Sequence, residues 1–379
     1  MLAMPQSSPR IGAHLPLGAG MVKAANRAAE IGADALQVFS DNPTAWRRRS
    51  ALPAELPGFL TRLVDLGIAP LAIHASYLVN LAGPDEEFFE RSVSVLAHEL
   101  RTAAAYGARF VNVHIGSHRG RGFEAGVARV AEAVDRTFAA AGDDASPDTR
   151  LVLENSAGGG FGIGATVEEL ADILEAIARR GVPTSRVGIC LDAAHLWGAG
   201  YQISEPDEVD ALVAAVDRRI GLERLSMIHL NDSRSEFGSH TDRHQHVAAG
   251  QIGPPGLARL LVHPGLEHVT YFIETPGMDE GYDAVNLDRA RRLVAGLPLP
   301  ELRPEELDMP GSRSRTAPAP GPEDAESEAE DGRRPKRRRV VTPAAPPPET
   351  AKRRRRSTAP QAVTGRGKGA SSGSGDPAG

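Results

Sequence analysis

Eight short apolar or β-branched segments alternate with longer amphipathic segments over the first 300 of the chain's 379 residues. The short segments span residues 11–14, 35–39, 71–74, 110–114, 151–154, 187–192, 225–229 and 269–274. Segments of helical periodicity, such as 88–106 and 123–140, separate them. Eight strand-then-helix units predict an α/β fold of the (β/α)8 TIM-barrel type. The alternative, an open doubly wound sheet, has fewer strands, and its usual Gly-x-Gly-x-x-Gly turn is absent after the first segment.

Six consecutive segments end in a residue type that binds metal ions. Segments three to eight end, in order, in His74, His114, Glu154, Asp192, His229 and Glu274. A single buried histidine or glutamate is more often structural, but the C-terminal ends of barrel strands are where this fold places its active sites. Several carboxylates converging there would repel one another unless cations neutralised them. The pattern therefore predicts a metal site at the barrel mouth.

A second concentration of ligand types follows the seventh segment. Residues 229–246 hold four of the twelve histidines, and two aspartates lie among them. Asp242 and His244 are one residue apart, so in an extended loop both side chains could point the same way. His195 lies three residues after Asp192, in the turn that leaves the sixth segment. A solvated, histidine-rich surface loop is the alternative interpretation of this stretch.

These residues can be sorted into three groups of metal ligands. The first is His74, His114 and Glu154; the second is Glu154, Asp192, His229 and Glu274, with Glu154 shared; the third is His195, Asp242 and His244. Imidazole and carboxylate together suit Zn²⁺ or Mn²⁺. Paired divalent ions about 3.5–4 Å apart promote displacement at phosphorus. Four carboxylates against three divalent ions would leave a charge of +2, which favours a phosphodiester over a neutral sugar as the substrate.

The composition changes after residue 300. Residues 301–379 contain no aromatic side chain, twelve of the 29 prolines, and 16 basic against 12 acidic residues, so the first 300 residues carry a net charge of −10. Basic runs occupy Arg333–Arg339 and Lys352–Arg356. Such a composition buries too little apolar surface to fold. We predict a TIM-barrel domain over 1–300 and a disordered basic tail over 301–379, which adds nonspecific DNA contacts or is a solvated extension.

Three further features bear on location. Cys190 is the single cysteine, which excludes an intramolecular disulfide and favours a reducing compartment. No apolar stretch approaches the ~20 residues needed to span a bilayer. The N-terminus lacks the apolar core of a secretory signal. We expect a cytoplasmic protein; nuclear import directed by the basic tail is the less favoured alternative.

Five motifs resemble those of the endonuclease IV family of apurinic/apyrimidinic endonucleases. They are residues 74–80 (HASYLVN), 154–158 (ENSAG), 190–195 (CLDAAH), 229–244 (HLNDSRSEFGSHTDRH) and 274–276 (ETP). The resemblance runs from about residue 11 to residue 294, and its longest motif is highly specific. The chain departs from the family's pattern at Thr44, Ala193 and Ala249 and keeps all nine ligand positions.

The resemblance implies a monomeric (β/α)8 barrel with three zinc ions, held by the three groups defined above. The implied reaction is hydrolysis of duplex DNA on the 5′ side of an abasic site, leaving a 3′-hydroxyl and a 5′-deoxyribose phosphate. A metal-bridging hydroxide would attack phosphorus, with Glu154 and Glu274 as catalytic residues. Tyr77 and Leu78 occupy the positions of the family's intercalating pair, although packing at the barrel mouth is an alternative role for them.

Two other functions compete with this one. A sugar isomerase or epimerase of the xylose-isomerase-like group would also use Glu, Asp, His and Glu at strand ends, but it holds two metals and would not need His195, Asp242 and His244. A DNA-binding protein without catalytic activity would not need to keep every ligand position. The complete third group favours the nuclease.

Overall fold

Eight parallel strands close into a barrel in the computed structural model, which describes residues 8–307. The barrel strands are β1 (Arg10–His14), β2 (Leu36–Val38), β3 (Leu71–His74), β4 (Phe110–His114), β5 (Arg150–Glu154), β6 (Val187–Asp192), β7 (Leu225–Leu230) and β10 (Thr270–Ile273). Each strand pairs with its neighbours in sequence order, and β10 closes the ring against β1. The predicted (β/α)8 barrel is confirmed.

Helices follow the strands and cover the outside of the barrel. They are α1 (Met21–Glu30), α2 (Leu56–Leu66), α3 (Glu86–Tyr106), α4 (Phe123–Ala141), α5 (Val167–Arg179), α6 (Ala193–Ala199), α7 (Pro206–Arg219), α8 (Pro254–Val262), α9 (Tyr282–Ala295) and α10 (Pro304–Leu307). The longest, α3, begins where Asp85 accepts a hydrogen bond from the Phe88 amide at 2.9 Å. It ends at Gly107, whose φ of 61° suits a residue without a Cβ. No helix within residues 8–307 combines the length and apolarity needed to cross a membrane.

The inside of the barrel is built in layers, because alternate residues of a strand point to the same side. One apolar layer is formed by Ala35, Ala72, Phe110, Val152, Cys190, Met227 and Phe272. The residues two positions further along these strands are Gln37, His74, Asn112, Glu154, Asp192, His229 and Glu274. The apolar layer therefore supports a polar layer directly above it, toward the C-terminal ends of the strands. Cys190 belongs to the apolar layer, as expected for a buried core thiol.

The loop after β7 carries a two-stranded antiparallel ribbon that the sequence analysis did not predict. Its strands are β8 (Asp232–Ser233) and β9 (His244–Gln245), and Ser233 pairs with His244. The ribbon folds the segment between its strands back toward the barrel mouth. His244 is thereby held by backbone pairing and not by a free loop.

The chain continues past residue 300, the predicted end of the barrel domain, as an ordered strap along the barrel. Arg289 of α9 donates to the carbonyl of Pro300 at 2.6 Å, and Gln245 of β9 donates to the carbonyl of Leu307 at 3.1 Å. Residues 301–307 thus pack against the barrel, although they fell within the predicted tail. The remainder of that prediction, residues 308–379, lies outside the described residues.

Candidate metal centre

Glu154 is the central residue of the polar layer. Its side chain is fully buried, and histidine nitrogens surround both of its oxygens. Oε2 lies 3.5 Å from Nε2 of His74 and 3.9 Å from Nε2 of His114. Oε1 lies 3.2 Å from Nδ1 of His229 and 3.4 Å from Nδ1 of His195. One carboxylate therefore reaches members of all three predicted ligand groups.

The first two predicted groups are brought together. Ligand atoms of His74, His114 and Glu154 all lie within 4.8 Å of one another, and so do those of Glu154, Asp192 and His229. Glu274, the fourth member of the second group, lies one residue beyond β10, with Oε2 3.5 Å from Nδ1 of His229. The structure thus places Glu154 in both groups, as the sequence predicted.

The third group also converges, although His195 lies on α6 and the other two residues belong to the segment of the β8–β9 ribbon. Asp242 lies between two histidines, with Oδ2 3.3 Å from Nε2 of His195 and Oδ1 3.0 Å from Nε2 of His244. His244 approaches Asp192 as well, at 3.5 Å. Asp192 therefore joins the second group to the third, a connection that the sequence did not predict.

Backbone carbonyls fix the orientation of three of the histidine rings. Nδ1 of His74 lies 2.8 Å from the Ala75 carbonyl, and Nδ1 of His244 lies 2.9 Å from the Glu274 carbonyl. Nδ1 of His195 lies 2.9 Å from the carbonyl of Asn155. A carbonyl only accepts, so each Nδ1 carries the hydrogen and each Nε2 faces the carboxylates. This is the arrangement by which proteins orient histidine ligands, and the residues present fit a zinc cluster.

The carboxylates of the cluster raise the pKa values of two neighbouring histidines. Burial opposes a charge on His244, but the carboxylates of Asp192 and Asp242 outweigh burial and raise its pKa to about 9. The pKa of His195 is raised well above its usual value for the same reason, with burial again opposing. Before a cation binds, protons on imidazoles therefore balance the carboxylates. A metal ion would displace those protons.

The pKa values of two carboxyl groups move in the complementary direction. Burial alone would raise the pKa of Glu154, but His114 and His229 outweigh it and hold that pKa well below the usual range. Burial is likewise outweighed at Glu274, whose pKa is lowered chiefly by His229 and by its hydrogen bond with His14. Both side chains are therefore carboxylates at neutral pH, the form that binds cations.

Two residues around Glu274 were missed by the sequence analysis. Nδ1 of His14 lies 2.6 Å from Oε1 of Glu274, and Gln37 donates to the same oxygen at 2.7 Å. Gln37 also lies 3.2 Å from Nε2 of His229. These residues leave Oε2 of Glu274 directed at the cluster. The sequence contained the information needed to predict both residues. His14 ends the first apolar segment, and strand alternation places Gln37 in the same interior layer as His74.

Asparagines hold the remaining carboxylates. Asn112 donates to Oε2 of Glu154 at 2.6 Å, and Asn231 donates to Oδ2 of Asp192 at 2.7 Å. Asn231 therefore orients a predicted metal ligand. Asp232 caps the loop: its carboxylate accepts backbone N–H groups, including that of Ile252 at 2.8 Å.

The predicted DNA-contacting pair lies beside the cluster. Tyr77 and Leu78 are both half-buried in the loop after β3. The ring of Tyr77 packs 5.0 Å from Phe39 and 5.9 Å from His74, measured between ring centroids. The structure therefore shows Tyr77 packed at the barrel mouth. Contact with DNA stays a prediction.

Comparisons with known proteins agree with the barrel fold. A family model described as a xylose isomerase-like TIM barrel matches residues 25–297. A probable endonuclease 4 of Methanoculleus marisnigri is 38% identical over 284 residues, covering 75% of this chain and 98% of that protein. The crystal structure of endonuclease IV from Thermus thermophilus superimposes with a TM-score of 0.66 at 37% identity, covering 76% of this chain and all of the other. The D-psicose 3-epimerase of Clostridium cellulolyticum has a TM-score of 0.55 at 12% identity, covering 75% and 99%, and shares the fold alone.

Proposed function

Because the chain belongs to the endonuclease IV family, hydrolases built on the xylose isomerase-like TIM barrel, we propose that it is a zinc-dependent DNA-repair nuclease. The proposed reaction is hydrolysis of the phosphodiester 5′ to an abasic site in duplex DNA, leaving a 3′-hydroxyl and a 5′-deoxyribose phosphate. The observation that carries the proposal is the convergence of His195 and His244 on both Asp192 and Asp242, in addition to the two groups around Glu154.

Nine side chains would hold three zinc ions in the proposed enzyme. They are His74, His114, Glu154, Asp192, His195, His229, Asp242, His244 and Glu274. When bound, the zinc ions would supply Lewis acidity toward the phosphate and lower the pKa of a water nucleophile. On loading, the cations would replace the imidazole protons that balance the buried carboxylates in the metal-free protein.

The chain's own residues position the reacting groups. Gln37 and His14 hold one oxygen of Glu274, so the other is fixed at the mouth, where it can orient water as a catalytic carboxylate. Glu154 keeps both oxygens inside the cluster. It would serve as the second catalytic carboxylate by joining the first two ligand groups. Tyr77 and Leu78 would fill the gap in the duplex after the abasic nucleotide is extruded, a step that is cheapest where the base is missing.

A sugar epimerase or isomerase is not favoured by any specific feature of the site. The third ligand group has no role in a two-metal sugar enzyme. Its three residues lie on α6 and in the β8–β9 segment, beyond the strand ends that the two folds share. We therefore propose DNA and not a sugar as the substrate, and DNA is tested first.

The decisive experiment is incision of an end-labelled duplex that carries one tetrahydrofuran abasic analogue. This analogue resists β-elimination, so only a hydrolase should cut it. We expect a single cut on the 5′ side that leaves a 3′-hydroxyl, and no cut in a duplex with an intact base pair at that position. If zinc-loaded protein leaves the tetrahydrofuran duplex intact, the proposal fails and sugar substrates should be screened.

The basic tail is proposed to add nonspecific contacts with DNA. The strap, residues 301–307, ends at Leu307, whose carbonyl accepts a hydrogen bond from Gln245. Gln245 follows His244 directly in β9. The tail's point of attachment therefore lies beside the proposed zinc cluster. Its two basic runs would offset the net charge of −10 that residues 1–300 carry toward a polyanion.

Ending the chain after Leu307 should weaken binding to undamaged duplex and flatten its salt dependence. Each phosphate that the shortened chain no longer neutralises reduces the slope of log K against log salt by about 0.9. Anisotropy titrations at several salt concentrations measure this slope, and the incision rate at saturating DNA should stay within about twofold of the full chain. An unchanged slope would reject the tethering role. A second truncation after Leu297, which also removes the strap, serves as a comparison that should disturb the β8–β9 ribbon.

A further inference from the structure

A buried carboxylate outside the zinc cluster carries a second network. Glu99 lies on α3, and only 1% of its surface is exposed. Oε2 accepts a hydrogen bond from the hydroxyl of Ser40, and Oε1 lies 3.3 Å from Nη1 of Arg48. A buried carboxylate without partners would be costly, so these two partners stabilise Glu99 in its buried position. Glu99 and Ser40 are 59 residues apart in sequence, and their hydrogen bond joins α3 to the loop after β2.

Arg48 holds that loop, residues 40–49, in a closed shape. Its Nη2 donates to the carbonyl of Asn42 at 3.0 Å and to the carbonyl of Ala45. The Arg48 side chain is only 9% exposed, whereas Thr44 lies at the loop's exposed tip. The guanidinium therefore ties the backbone of the tip to the buried side chain of Glu99.

The same loop supports the segment that carries Tyr77 and Leu78. The carbonyl of Pro43 accepts hydrogen bonds from the hydroxyl of Ser76 at 2.6 Å and from the amide of Tyr77 at 3.1 Å. The Ser76 hydroxyl in turn accepts from the amide of Leu78 at 3.2 Å. A displacement of the 40–49 loop would therefore also displace Tyr77 and Leu78 at the barrel mouth.

We propose that Glu99 is a positioning residue for DNA binding, which acts through Arg48 to hold the 40–49 loop and, through Pro43, the Tyr77–Leu78 segment. The inference rests on the proposed function, since it takes the Tyr77–Leu78 segment to contact DNA. Glu99 contacts no member of the zinc cluster. Its loss should therefore change the affinity for abasic DNA and leave metal content unchanged.

Glu99→Gln tests the proposal, with Glu90→Gln as the matched control on the exposed side of α3, where Glu90 pairs with Arg136 at 2.6 Å. We expect the KM for tetrahydrofuran duplex to rise on the order of tenfold in Glu99→Gln, while kcat changes less than about twofold. Zinc content should match wild type. Arg48→Met should reproduce the effect, and the double variant should show little further change because both residues belong to one network.

Trypsin gives a structural readout that does not depend on DNA. Residues 47–49 are three consecutive arginines, and Arg48 is shielded by the network. Cleavage there should accelerate on the order of tenfold in Glu99→Gln but not in Glu90→Gln. Faster cleavage with an unchanged KM, or an unchanged cleavage rate, would overturn the proposal. Wild-type protein that neither binds nor cuts the duplex would instead overturn the proposed function. If Glu99→Gln does not fold, Ser40→Ala and Arg48→Met carry the same test.

Discussion

Replacing Glu154 with glutamine is expected to abolish zinc loading and to lower incision of abasic duplex by on the order of a thousandfold or more. Loss of a residue that merely orients a ligand commonly costs roughly 10–100-fold, and Glu154 is shared by two groups. Glutamine keeps the volume but removes the charge, and it directs an NH2 group at imidazoles that now face carboxylate oxygens. Zinc stoichiometry by mass spectrometry and incision of the tetrahydrofuran duplex measure the two effects.

Asp232→Asn is the matched control for this variant. Asp232 is also fully buried and lies close in sequence to His229, but it accepts hydrogen bonds from backbone amides, including those of Ser233 and Gly253. We expect it to lower thermal stability while zinc stoichiometry stays near wild type. Glu154→Gln protein with full zinc content and normal incision would contradict the assignment of Glu154 to the cluster.

Six of the nine predicted ligands lie at strand ends, and the sequence could group them because the alternation of side chains along a strand is a local property. His195, Asp242 and His244 were grouped by their residue types and by the family resemblance instead. A strand alternates its side chains, and all strands of the barrel end at the same face. A polar residue at the end of an apolar segment is therefore enough to place His74, Glu154 or Asp192 in one layer. The same alternation places Gln37 in that layer, two residues beyond Ala35, although it lies inside the second segment and not at its end.

Other features could not be predicted, because they depend on contacts between distant segments. The β8–β9 ribbon pairs only two residues on each side, too few to leave a periodic pattern. Helix α6 begins directly at Ala193 after β6, without a separating turn, and was not predicted. The network of Glu99, Ser40 and Arg48 joins a helix to a loop, and no spacing in the sequence links the three residues.

Residues 301–307 show the limit of arguments from composition. Residues 301–307 are acidic and contain proline, as does the sequence after them, so composition assigned them to the tail. Their backbone carbonyls nevertheless accept hydrogen bonds from the barrel, as that of Leu307 does from Gln245. The acceptor is a main-chain atom, which every residue possesses, and side-chain composition carries no information about it.

Removing zinc with a chelator is expected to lower the melting temperature by at least about 10 °C at pH 7, and the difference should widen at pH 9. Ligands that bind only the folded state stabilise it, by about 4 kcal/mol for one site at a thousandfold excess over Kd, and a domain of this size shifts about 2–4 °C per kcal/mol. Bound metal competes with protons, so loading strengthens as pH rises. Calorimetry on loaded and metal-free protein at both pH values measures the difference.

Metal loading strengthens as pH rises, whereas the stability of the metal-free protein should fall. The pKa of His244 is raised to about 9, so its stabilising contribution, on the order of 3 kcal/mol, is complete below the usual value of 6.5 and is lost as pH rises through 9. The lowered pKa values of Glu154 and Glu274 stabilise the folded protein by the same amount at pH 7 and pH 9. Both carboxyls are ionised at these pH values in the folded and in the unfolded chain. Burial lowers the pKa of His14, which is therefore neutral across this range.

His244→Gln separates this effect from a general loss of stability at high pH. Metal-free His244→Gln should show a shallower decline between pH 7 and pH 9 than metal-free wild type, because glutamine has no proton to lose. His263→Gln is the matched control: His263 lies at the end of α8, and its ring accepts a hydrogen bond from the Gly265 amide at 3.0 Å. That variant should keep the wild-type slope. A gap between loaded and metal-free protein that narrows toward pH 9 would show that the cluster does not exchange protons for metal ions, and the zinc assignment would have to be abandoned.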